Sequence, residues 1–175
     1  MSKNTIKLMS LLNENLSEIG DLANILPYSY SSTREGKYVI DIEDGDKVDV
    51  IFSKVGEDER EYVRVAPIFK KPEINDFFNL GYSIKGISTQ AKESNVKELL
   101  KIMSTIMLVT REFLKGRELT CILLFEENKK ESLGYTSGQK SLLYKSVVSQ
   151  NLPNGYISGP AEFMGVNGIV IGPKL

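Results

Sequence analysis

Residues 95–126 carry two apolar patterns in succession, and no single kind of secondary structure accommodates both. In NVKELLKIMSTIMLVTREFLK (95–115), Val96, Leu99, Leu100, Met103, Ile106, Met107, Thr110, Phe113 and Leu114 hold a 3.6-residue period. That spacing predicts a long helix, with Asn95 and Glu98 at capping-box spacing and Gly116 past its end. LTCILLFE (119–126) then runs apolar without alternation, which predicts a strand covered on both faces. Together they require an α/β fold.

The remaining chain supplies the sheet. From Lys37 the period is two: Tyr38, Ile40 and Ile42 precede an Asp44-Gly45 turn, and Val48, Val50 and Phe52 lead back. Tyr62–Phe69 reads as a third strand, and Phe78, Leu80, Tyr82 and Ile84 mark a fourth, so the first half predicts an antiparallel meander. A second helix is expected over 137–150, then a hairpin from 156–164 and 168–171 turning through Val166-Asn167-Gly168. Helical segments are expected before the sheet, over 4–26, from the stripe Leu8, Leu12, Leu16 and Ile19 and a short piece ended by Pro27. The order is α-α-β-β-β-β-α-β-α-β-β, read as one α/β (α+β) domain over 1–175 with sheet and helices at 37–171.

Composition removes several chemistries. None of the 175 residues is histidine, so Ser-His-Asp and Cys-His catalysis are excluded and zinc sites nearly so. The single Cys121 lies in the apolar run with no adjacent base, as a core residue would. Nothing calls for an oxidising compartment, and a cytoplasmic setting is expected. With 22 basic and 23 acidic residues the net charge is −1, so a polyanion would need a local patch. Lys70, Lys71, Lys129, Lys130 and Lys140 are interleaved with Glu73, Glu126, Glu127 and Glu131, which argues against nucleic acid. Asp41, Glu43, Asp44, Asp46 and Asp49 lack the spacing of a calcium loop and read as a solvated hairpin tip. No membrane segment is expected, since no apolar stretch approaches roughly 18 residues.

GYTSGQKS (134–141) is one residue from the phosphate loop G-x-x-x-x-G-K-[ST]. Gln139 replaces the glycine whose missing side chain lets phosphate approach, and no strand leads directly into the loop. Thr136 and Gln139 instead have the T-x-x-Q spacing of a capped helix start.

The element order resembles that of the GNAT acetyltransferase superfamily, and KSLLYKSVVSQNLPNGY resembles its penultimate helix. The chain also resembles small phage-encoded proteins carrying a Y-V-I-D hairpin, F-x-L-G-Y-S-I-K-G, L-x-K-I-M-S-T-I and K-S-L-L-Y-K in that order. The first resemblance implies acetyl-CoA as cofactor, held by its pyrophosphate at the loop with Gly86, Ser88 and Thr89, and Tyr144 as the acid for the departing thiolate. KGISTQAKESN departs from the superfamily pattern there, keeping Gly86 alone of its small residues. The leading expectation is therefore a phage-type protein without a cofactor that binds a viral or host protein, in the virion or the host cytoplasm. Tyr28 and Tyr30, in PYSYSSTREG ahead of the first predicted strand, are its candidate partner-binding residues.

Overall fold

A computed structural model describes residues 26–42, 46–84, 93–125, 145 and 147–175. In chain order the elements are β1 (Ser29–Arg34), β2 (Lys37–Asp41), β3 (Lys47–Lys54), β4 (Val63–Val65), β5 (Asp76–Ile84), α1 (Glu93–Leu114), β6 (Thr120–Phe125), β7 (Tyr156–Phe163) and β8 (Val166–Pro173). The strands form one open mixed sheet, ordered β1-β2-β3-β5-β6-β8-β7-β4. The expected α/β class is observed. The N-terminal helices and the Asp44-Gly45 turn lie outside the described residues, as does most of the second helix, of which residues 145 and 147–150 are helical.

Alternation decides which side chains go inward. In β2 and β3, Tyr38, Ile40, Val48, Val50 and Phe52 are buried against α1, as their period-two spacing predicts. β6 is the doubly covered strand expected: Ile122 and Leu124 join the helix-side core, while Cys121 and Leu123 join a second core with Phe69, Phe77 and Val170. The predicted stripe of α1 is buried at Leu100, Met103, Ile106, Met107, Thr110, Phe113 and Leu114. Burial extends to Ile102, Thr105 and Val109, beyond the stripe. The helix begins at Glu93, two residues before the predicted cap Asn95, and stops as expected before Gly116, whose φ is 76°.

Three expectations need correction. PYSYSSTREG does not precede the sheet, because Ser29–Arg34 is its first strand and pairs with β2. The serines and threonine there gave no apolar alternation to read. The predicted third strand shrinks to Val63–Val65 and leaves the meander to pair with β7 at the far edge. Pro67 opens a 3-10 turn, and Lys70, at φ 47°, joins it to the next, so the extended run cannot continue. Finally, the C-terminal hairpin turns at Met164 and Gly165, with φ of 50° and 81°, rather than at Val166-Asn167-Gly168. Positive φ at both central residues is what a tight hairpin turn demands.

The excursion between β3 and β5 covers the sheet face opposite α1. Arg60 fixes it: its guanidinium donates to the carbonyls of Asn75 (3.0 Å), Lys71 (2.9 Å) and Ile74, and stands 5.0 Å from the centre of the Phe77 ring. The Lys71 ammonium donates to the Val63 carbonyl, and burial, then Arg60, push its pKa below the ordinary lysine value. Replacing Arg60 by Ala removes all three donations, leaving the Lys71 carbonyl only its bond from the Ile74 N–H, and should cost about 2–4 kcal/mol in urea unfolding. Arg60→Lys should recover less than half, because an ammonium cannot serve the same fork of acceptors. Equal stability of Arg60→Ala and the parent would show that the excursion is held by its apolar contacts alone.

Candidate functional site

β5 is nine residues long, yet only its first four pair with β6, from Asp76↔Thr120 to Asn79↔Leu123. This is the sheet's parallel pair, and α1 connects its two members. Past Asn79 the strands take different partners. β5 stays on β3 as far as Ile84↔Val48, whereas β6 stays on β8 through Phe125↔Gly168. The result is a fork. From Leu80 onward, the β5 edge that faced β6 has no strand partner among the described residues.

Main-chain N–H and C=O groups left on a strand edge are strong hydrogen-bonding groups that need partners. Asn79 sits where the fork opens, and its buried Oδ1 has no hydrogen-bond partner among the described residues. Leaving such an acceptor unsatisfied costs about 1–3 kcal/mol, so the position suits a ligand that brings a donor. Sequence reasoning missed Asn79. Its signal was a lone amide in the apolar stretch FFNLGY.

The sequence-predicted residues are placed unequally. Gly86, Ser88, Thr89 and Tyr144 lie outside the described residues. Tyr28 and Tyr30 are described, and both rings are engaged within the molecule. The Tyr28 N–H donates to Thr105 Oγ1 at 3.0 Å, and Lys101 Nζ lies 4.2 Å from its ring centre. Tyr30 pairs with Ile40 and meets the Tyr38 ring edge-on at 6.5 Å; burial, then Glu112, raise its pKa.

Cys121 is in the core, as expected, and burial pushes its thiol up to about 12, which leaves no thiolate at neutral pH. Among the described residues no three His, Cys, Asp or Glu side chains gather to hold a metal, and no helix is long and apolar enough to cross a membrane. No family model, curated protein or solved structure matches the chain.

Proposed function

We propose that the chain binds an acyl-coenzyme A thioester in the fork between β5 and β6, as a divergent GNAT-like N-acetyltransferase. The observation that carries this reading is the early end of the β5–β6 ladder at Asn79↔Leu123. The pantetheine arm of coenzyme A is extended and carries amides, so it can dock on the open edge of β5 as an added strand would. Asn79 Oδ1 is an acceptor suited to an amide N–H of that arm. When bound, the thioester supplies the acetyl group. The GNAT resemblance assigns the pyrophosphate to amides beside Gly86, Ser88 and Thr89, and the proton for the departing thiolate to Tyr144.

Calorimetry with acetyl-CoA tests this. Saturable one-site binding is expected, weakened at least about tenfold by Ser88→Trp or Thr89→Trp, which crowd the pyrophosphate loop. Tyr144→Phe should lower acetyl transfer to amines by about a hundredfold while leaving the dissociation constant unchanged. A titration that stays silent at millimolar acetyl-CoA overturns the proposal.

A second reading, a non-catalytic protein that binds a viral or host partner, draws on β1. This strand ends the sheet, its residues other than Tyr30 are exposed, and among the described residues no strand pairs with its outer edge. A partner strand could add there. Ser32→Pro, which removes a main-chain donor facing away from β2, should then abolish capture of that partner without altering acetyl-CoA binding.

A further inference from the structure

A cavity of about 600 Å³ lies on the helix side of the sheet, between helical residues Lys145, Val148 and Ser149 and strands β6, β8 and β7. Its origin is legible in the ladder. β4 stops pairing at Val65↔Ala161, so β7 runs as an edge strand from Tyr156 to Pro160. Val147 and Val148 of the helical stretch are packed into the core, while Lys145 and Ser149 stay exposed. Helix and strand edge thus enclose a recess. Pro160 lines it without offering an N–H, so the strand edge is blunted at that point.

The lining has a division of labour. Leu124, Val148, Pro160 and Ile169 supply apolar surface, and Ser158, Asn167 and Lys145 supply polar groups. Lys145 makes no ion pair among the described residues. Glu162, the carboxylate on β7, does not line the cavity and sits opposite Arg64 of β4. The recess therefore offers an apolar body one positive charge with no carboxylate beside it among the described residues. Its volume falls in the range of small-ligand sites, about 300–1,000 Å³.

We infer that this cavity binds a small amphipathic carboxylate, with its hydrocarbon on Leu124, Val148, Pro160 and Ile169 and its carboxylate on the Lys145 ammonium. The site lies on the β8 side of β6, whereas the fork opens on its β5 side, so the two are distinct openings that share the end of β6.

The test uses the full chain and decanoate as probe, with decanol as the uncharged comparison. Calorimetry should give one equivalent of bound decanoate, and the methyl NMR signals of Leu124, Val148 and Ile169 should shift on titration. Decanol should bind at least about tenfold more weakly, and Lys145→Met, at an exposed position, should erase that difference. Ser158→Trp should fill the recess and abolish binding of both. No decanoate binding, binding that leaves those methyls unmoved, or an unchanged preference in Lys145→Met overturns the inference. Acetyl-CoA binding should be unaffected by Lys145→Met, which separates this outcome from that of the fork.

Discussion

Phe113→Ala should destabilise the protein by about 3–5 kcal/mol, the range for removing a buried phenylalanine. The ring stacks on Phe52 with centroids 4.1 Å apart and planes 4° from parallel, and meets Phe78 edge-on at 5.0 Å. Arg117 covers it at 4.3 Å and donates to the Phe113 carbonyl at 3.1 Å, so the end of α1, β3 and β5 converge on one side chain. Truncation opens a cavity that rigid strands cannot collapse into, and aromatic contacts are lost beyond the area term. Phe113→Leu keeps most of the volume and should cost about half as much. Denaturant midpoints with an unchanged slope would measure this. A loss under about 1 kcal/mol for Phe113→Ala would mean that Phe52 and Phe78 repack against each other.

Periodicity made the elements of the central sheet readable because each face there has one job. β2 and β3 alternate since one side meets α1, and β6 does not alternate since both sides are covered. The same rule explains what stayed hidden. β1 is exposed along nearly its whole length, so SYSSTR has no apolar partner pattern, and its pairing with β2 is written in main-chain groups that every residue shares. β4 was overread for the opposite reason. Val63, Val65 and Phe69 have the apolar content of a strand, but Phe69 reaches the second core through a 3-10 turn.

The candidate site was legible only in outline. That a strand, a long helix and a buried strand follow one another can be read from spacing, and their parallel pairing gives the fork its two arms. Where the ladder ends cannot be read from β5 or β6 alone. It depends on β8 holding Leu124 and Phe125 while β3 holds Leu80–Ile84, a competition between partners distant in sequence. The cavity at Lys145 is equally non-local, since it arises where the β7–β8 ladder outruns the shorter β4–β7 ladder and leaves an edge; Tyr156 to Pro160 pair with β8 alone.

Gly168→Ala should cost about 3 kcal/mol or more, and more than the same change at Gly172 or Gly159. A Cβ at Gly168 would stand 2.4 Å from the Leu124 carbonyl oxygen, 2.6 Å from Phe125 Cδ1 and 2.8 Å from Phe125 Cα. Two of these atoms are backbone, so the clash is relieved only by moving β8 off β6, at the pair Phe125↔Gly168. The gain from a less flexible unfolded chain, about 0.4–1 kcal/mol, is too small to offset it. At Gly172 the nearest atoms are Cys121 Sγ at 2.7 Å and Phe69 Cδ1 at 2.9 Å, and at Gly159 the Phe69 ring at 2.9 Å; side chains can yield where main chain cannot. Urea midpoints should therefore fall furthest for Gly168→Ala, then Gly172→Ala, then Gly159→Ala. If Gly168→Ala proves the mildest of the three, β6 and β8 are not held at the spacing on which both the fork and the cavity beside it depend.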